Sequence, residues 1–370
     1  MNIFNLNEVA PQIPNLLING RMKFEFESLP FEAKNIPWKK RINFFMAGLN
    51  QYLLPAKPIG FPVIGQVEPS NVCNLQCSLC LTASINHERK PALLKMETFK
   101  KYIDEVGDYL LLIIFWNWGE PFLNPAAPEM IRYATDKGIL VHSSTNGNVP
   151  FSLELVERIV KSNLTSLIVA VDGATQETYQ KYRIGGDLET VKKNIRLIQE
   201  TKKRLNSPYP RVTVRFVAMQ HNEEQRKQVE DLARELDADY FATKSVDMPV
   251  PRGEHLDEKF RPEDESLRRY VYEEDTFKRV EQPFTCMRPW KRITMDSSGE
   301  IISCEYDYKN ALSFGNISGS QSVMQTWKSA FSQKFRKGFN LGDNEYYHCK
   351  DCTYKNLVGS DCILEAHPLK

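Results

Sequence analysis

The sequence predicts an α/β protein: a partial (βα)6 parallel barrel followed by a small cysteine-rich α+β domain. Three observations predict it. Six short apolar runs alternate with helical patterns between residues 63 and 245. Buried parallel strands joined by right-handed crossovers read this way, and six units fall short of a closed eightfold barrel. Residues 249–282 are then dense in charge, and five of the eight cysteines follow in 286–370, where the alternation stops.

Taken in order, residues 1–60 form an N-terminal helical leader. Within it, Ile42, Phe45, Met46, Leu49, Tyr52 and Leu53 keep helical spacing behind the basic run Lys39-Lys40-Arg41. This predicts a helix packed on the main domain. The alternative is a helix lying on a membrane surface, basic end first. Pro55, Pro58 and Pro62 then break the chain. The barrel occupies 61–248, with strands expected at Val63–Val67, Leu110–Trp116, Ile139–Ser143, Leu167–Val171, Val212–Ala218 and Tyr240–Lys244. Helices are expected at Met96–Val106, Pro128–Asp136, Leu153–Lys161, Leu188–Thr201 and Glu223–Leu236. Residues 249–285 read as a solvated helix and linker, and 286–370 as the second domain, with a hairpin turning at Ser297-Ser298-Gly299.

Bulk composition excludes several classes. Of 370 residues, 42% are hydrophobic and 26% charged, which is ordinary for a globular protein, and the net charge of +1 predicts no nucleic-acid partner. The longest strongly apolar run, Leu110–Trp116, is far short of a membrane span. The N-terminal residues do not read as a secretory signal, and free thiols fit a reducing cytoplasm.

The chemistry is carried by Cys73, Cys77 and Cys80, three thiols within eight residues after the first barrel strand. Three thiolates on a [4Fe–4S] cluster leave one iron without a protein ligand, open to a small molecule. A structural zinc site needs a fourth ligand, for which His87 is the nearby candidate; a disulfide framework needs denser cysteine. After the second strand comes Trp118-Gly119-Glu120-Pro121, a carboxylate beside a backbone that a ligand can approach closely. Ser143-Ser144-Thr145-Asn146-Gly147 ends the third strand, either as ribose- or substrate-binding groups or as a turn. Asp172-Gly173 follows the fourth strand and Arg183 lies beyond it; a guanidinium suits a carboxylate. Arg215, Gln220 and Asn222 end the fifth strand as candidate cofactor or pocket groups.

These motifs, in this order, resemble the radical S-adenosylmethionine (radical SAM) enzymes, and Cys286, Gly299, Cys304, Cys349 and Cys352 resemble their SPASM/Twitch subclass. The resemblance covers roughly residues 63–365. It implies a [4Fe–4S] cluster on Cys73, Cys77 and Cys80 with S-adenosylmethionine, whose methionine amino group meets the Gly119-Glu120 segment and whose carboxylate meets Arg183. Trp118, Ser143, Asn146, Asp172 and Asn222 are the other cofactor-binding candidates. Ala170 stands where many relatives have Ser. The resemblance also implies one auxiliary [4Fe–4S] cluster on Cys286, Cys304, Cys349 and Cys352. Cys362 is left over, as an alternative ligand, a hydrogen-atom donor or an ordinary small residue. Glu305 and Asp307 are candidate proton acceptors. The implied activity is reductive cleavage of S-adenosylmethionine to a 5′-deoxyadenosyl radical that abstracts hydrogen from a substrate. The first expectation is a small polar molecule such as a sugar or aminocyclitol. The alternatives are a ribosomal peptide or a non-catalytic iron–sulfur or zinc scaffold, and the expected electron donor is a flavodoxin or ferredoxin.

Overall fold

In the computed structural model of the chain, the described residues are 9–85, 89–248, 255–282, 286–340, 346–350, 352–357 and 362–370. His87 lies outside them. The six expected parallel strands form: β3 (Ile64–Val67), β4 (Leu112–Ile114), β5 (Leu140–Thr145), β6 (Ser166–Ala170), β7 (Arg211–Ala218) and β8 (Tyr240–Ser245). Helices cover their outer face, at Met96–Val106, Ala127–Asp136, Leu153–Lys161, Leu188–Arg204 and Arg226–Glu235. Alternation along each strand separates two cores. Val67, Ile113, Val141, Leu167, Val169 and Val214 point outward against Phe99, Ile131, Ile159 and Ile195 of the helices. Ile64, Leu112 and Ile114 point into the barrel.

What fills the lower barrel is a finding that the sequence reading missed. Residues 22–33 form an antiparallel hairpin, β1 (Met22–Phe26) and β2 (Leu29–Ala33). Its inward residues Phe24, Phe26, Leu29 and Phe31 are at most 8% exposed and pack on Ile64, Leu112 and Ile114. The leader is therefore a hairpin as well as helices. The helix Trp38–Leu53 forms as expected and packs on the domain through a mixed face: Phe44 and Ala47 enter the core, and Lys40, Asn43, Asn50 and Gln51 are buried beside them.

The sheet continues beyond the barrel on both sides. Strand β9 (Arg292–Met295) pairs in parallel with β3, Ile64 opposite Arg292, and carries β10 (Glu300–Ile302) and β11 (Ser313–Asn316) in antiparallel register. Strand β12 (Ile363–Pro368) closes the other edge against β8. The cysteine-rich segment is thus an extension of the barrel sheet, ten strands in all, rather than a free-standing unit. The charged stretch is also more buried than expected. Phe260, Leu267 and Tyr270 are at most 8% exposed, and Arg279 pairs with Asp257 at 2.7 Å.

Candidate cluster and cofactor site

The cysteine loop leaves β3 at its carboxyl end, where side chains from several strands converge. Its sulfurs meet donors. Asn146 Nδ2 and Leu75 N each donate to Cys73 Sγ at 3.4 Å, and Arg183 Nη1 reaches Cys77 Sγ at 3.8 Å. Burial pushes the Cys73 thiol up to about 11 and raises that of Cys77. Thiols in such surroundings ionise when a cationic group binds them, and the donors already aimed at sulfur favour the thiolate. The three cysteines therefore fit an iron–sulfur cluster. Among the described residues, no three His, Cys, Asp or Glu side chains converge closely enough to hold a single metal ion. A cubane instead spreads its thiolates over several irons.

Beside this loop, the turn after β4 is built around Gly119. A Cβ there would lie 2.0 Å from the Ser70 carbonyl oxygen, so only glycine lets the two segments touch. Glu120 is 2% exposed. Its carboxylate accepts from Thr145 Oγ1 at 2.8 Å, Asn146 N at 2.8 Å and Phe122 N at 3.2 Å. Burial nevertheless pushes it up to about 7. An ammonium group brought against it would restore the charged form. Trp118 bridges two regions: its indole Nε1 donates to the Glu305 carbonyl at 2.6 Å, and its ring meets Tyr306 edge-on.

Asp172 and Arg183 come together as a pair, Nε to Oδ2 at 2.6 Å. The other Asp172 oxygen accepts from Val217 N, so the carboxylate fixes both the guanidinium and the end of β7. Asn222 is 2% exposed and braces backbone, donating to the Asp172 and Val217 carbonyls and accepting from Met219 N. Asn146 is tied to Cys73, Asn74 and Asn148. These three groups act on the loops that shape the site. Ser143 is fully buried toward the helix layer, donating to the Phe115 carbonyl, and the strand's alternation turns Ser144 inward.

The remaining thiols also gather. Cys286, Cys304, Cys349 and Cys352 line one cavity of about 190 Å³ with Arg288, Tyr306, Phe335, His348 and Tyr354. Burial pushes Cys286 and Cys349 up to about 12 and Cys352 up to about 11. This four-thiol set fits an auxiliary cluster. Cys362 lies outside that cavity, at the start of β12, where its carbonyl accepts from Ser245. It is therefore not one of the gathered ligands. Asp307 is fully buried, accepts from the backbone N–H groups of Ala311 and Leu312, and lies 4.0 Å from His348 Nδ1, which lines the same cavity. Glu305 stays near the chemistry, gripped by Arg288 and by Arg292 at 3.4 Å.

Between the two thiol sets, the barrel interior carries charge that the sequence reading did not assign. Glu27, at the tip of the β1–β2 hairpin, accepts from Arg215 of β7 at 2.6 Å, and His142 Nε2 of β5 lies 3.5 Å away. Burial opposes the Glu27 charge, but Arg215 and His142 hold its carboxyl well below the usual range. Lys244 of β8 and Arg292 of β9 share this interior by strand parity. Arg215 was legible as a pocket group. Glu27 was findable only from the alternation Met22-Lys23-Phe24-Glu25-Phe26 on one side of the turn and Leu29–Ala33 on the other.

Comparison with known proteins agrees with this geometry. Residues 67–234 match the profile of the radical SAM superfamily, and residues 286–353 match an iron–sulfur cluster-binding domain, SPASM. An AdoMet-dependent heme synthase of Methanosarcina barkeri is 28% identical over 252 residues, covering 67% of this chain and 69% of that protein. A PqqA peptide cyclase of Bradyrhizobium diazoefficiens is 22% identical over 335 residues, 85% of this chain and 84% of that one. The crystal structure of Streptococcus suis SuiB bound to precursor peptide SuiA superposes with a TM-score of 0.59 at 14% identity, covering 95% of this chain and 83% of SuiB. That likeness is one of fold. The chain belongs to the radical SAM superfamily. Within it, the four-thiol domain on the extended sheet places the chain in the SPASM subclass, as an enzyme that uses a [4Fe–4S] cluster, S-adenosylmethionine and auxiliary iron–sulfur chemistry.

Proposed function

We propose that this enzyme modifies a peptide, removing a hydrogen atom from a residue held at the carboxyl end of the barrel strands. The observation that carries this reading is the relation to a PqqA peptide cyclase along 85% of this chain. It replaces the sugar or aminocyclitol expected first from the sequence. A heme precursor is the second reading, favoured by the 28% identity to the heme synthase.

The chain's own residues divide the work. Cys73, Cys77 and Cys80 hold the first cluster, with Asn146 and Arg183 donating to its sulfurs. Glu120 receives the methionine ammonium, and Arg183, oriented by Asp172, receives the carboxylate. Cys286, Cys304, Cys349 and Cys352 would hold the auxiliary cluster in the cavity they line. Bound and reduced, the first cluster and S-adenosylmethionine supply a 5′-deoxyadenosyl radical. The barrel orients the substrate and excludes water around it. A flavodoxin or ferredoxin serves as the electron donor.

Anaerobically reconstituted, reduced enzyme is to be offered three sets of molecules: a random synthetic peptide library, a panel of sugars and aminocyclitols, and heme precursors. The expected result is 5′-deoxyadenosine release that rises with the peptides, together with mass-shifted peptide. Release coupled to either of the other sets, and not to peptides, would contradict the reading.

A further inference from the structure

The helix Trp38–Leu53 turns a large apolar stripe to solvent. At about 100° per residue, Trp38, Ile42, Met46, Leu49, Tyr52 and Leu53 fall within an arc of about 120°. Five of these six are 49–62% exposed; Met46 is half-buried. Among the described residues, 13 large hydrophobic side chains are exposed, and seven of them belong to this helix or to Ile18 and Ile59 nearby. The buried arc opposite is mixed: Phe44 and Ala47 join the core, and Lys40, Asn43, Asn50 and Gln51 are buried beside them.

That orientation is enforced. Asn43 and Asn50, seven positions apart, grip the segment 59–61 like two staples. Asn43 donates to the Phe61 carbonyl at 2.9 Å and accepts from Phe61 N at 2.8 Å. Asn50 donates to the Gly60 carbonyl at 2.8 Å and accepts from Ile59 N at 2.7 Å. Gly60 sits so close that a Cβ would lie 2.4 Å from Ala47 N. Rotating the helix to bury its apolar stripe would break all four hydrogen bonds, each worth about 1 kcal/mol and more if its partner stays buried. The apolar face is thus held outward, and contiguous exposed apolar side chains mark an interaction site.

Charge identifies the occupant. From residue 33 to residue 67 the chain has five cations, Lys34, Lys39, Lys40, Arg41 and Lys57, and no Asp or Glu, although 47 acids are spread over the 370 residues. Lys40 is buried and donates to the Lys137 carbonyl, and two more cations have acidic neighbours, Lys34 with Glu32 and Lys39 with Asp108. Arg41 is bonded to the Ile36 and Leu17 carbonyls and lies 4.4 Å from the Trp38 ring, and Lys57 is exposed. Beside the stripe, a groove of about 280 Å³ runs between Met46, Ile59 and Met324, flanked by Lys39 and Lys328. Aromatic residues at both ends of an apolar stripe, with a basic rim, are what an interfacial helix presents to lipid. No helix among the described residues is long and apolar enough to cross a membrane. We infer that the Trp38–Leu53 face docks the enzyme onto an anionic lipid surface, its apolar stripe at the headgroup boundary and its exposed cations, Lys34, Lys39 and Lys57, against the lipid charge.

The test is flotation of the full-length reconstituted enzyme with vesicles of phosphatidylcholine alone and of phosphatidylcholine with phosphatidylglycerol. Binding is expected to the anionic vesicles, weakened at high salt. The double variant Ile42→Glu/Leu49→Glu should lower it at least tenfold, with an unchanged melting temperature because both side chains are already in solvent. Lys57→Glu should lower it less. Three results would overturn the inference: no binding by the wild type, equal binding to both vesicles, or a wild-type dimer that the double variant makes monomeric, which would assign the face to a second copy of the chain.

Discussion

At the residue scale, the cofactor pocket rests on few atoms. Gly119 admits no side chain, so Gly119→Ala should abolish S-adenosylmethionine binding, read by isothermal titration of anaerobic enzyme. Glu120 makes a pH-dependent prediction. Its carboxyl, raised by burial to about 7, is largely neutral below that pH in the free enzyme. An ammonium ligand binds the ionised form, so affinity should fall as pH drops below about 7 and level off above it. Glu120→Gln should lower affinity about tenfold or more and flatten that dependence, since a buried charge-assisted pair is lost. These residues were legible because chemistry restricts residue type and spacing together. Ser143 and Asp307 were less legible for the opposite reason: a hydroxyl or carboxylate near a motif looks the same whether it faces the site or a backbone group. Strand parity turns Ser143 to the helices, and Ala311 and Leu312 hold Asp307.

At the element scale, the β1–β2 hairpin is the part least visible in sequence. Its turn, Glu27-Ser28, has positive φ of 51° and 57° at two residues that are not glycine, and Pro30 interrupts the second strand's pattern. Asn-Gly or Asp-Gly would have announced such a turn. The barrel strands were easier, since continuous apolar runs between amphipathic helices leave few alternatives. The hairpin also makes a stability prediction. Glu27 faces Arg215, His142 and Lys244; His142 faces Glu27, Arg215 and Arg211. Both titrations are depressed in the folded state, Glu27 by these cations against the cost of burial, His142 chiefly by burial. The unfolded chain therefore takes up protons first, and stability is lost as pH falls. The melting temperature of the cluster-free protein should drop below pH 6.5, where unfolded histidine titrates, and more steeply below 4.5. His142→Asn should make the first part of that slope shallower, with half-buried His221 and buried His348 supplying the rest. Glu27→Ala should cost about 3 kcal/mol, by leaving Arg215 unpaired in the barrel.

At the scale of the whole molecule, the two thiol sets belong to one sheet. The pairing of β3 with β9 joins residues more than two hundred positions apart, which local patterns do not reveal. It places the auxiliary cavity against the radical SAM barrel, and Trp118 ties the cofactor loop to the Glu305 segment beside Cys304. Loss of the auxiliary thiols should therefore leave cofactor cleavage in place while substrate conversion fails. Cys304→Ala is expected to retain 5′-deoxyadenosine formation and to lose product, measured by parallel chromatography of both. The order of the motifs was legible in sequence; their convergence was not, because it depends on long-range strand pairing.

The most direct measurement is the iron content and cofactor cleavage of anaerobically reconstituted wild type beside Cys73→Ala/Cys77→Ala/Cys80→Ala. Two four-iron clusters predict about eight irons per chain in the wild type and about four in the variant, with 5′-deoxyadenosine only from the former. Undiminished iron, or continued cleavage without the three thiols, would contradict the assignment of the first cluster to that loop.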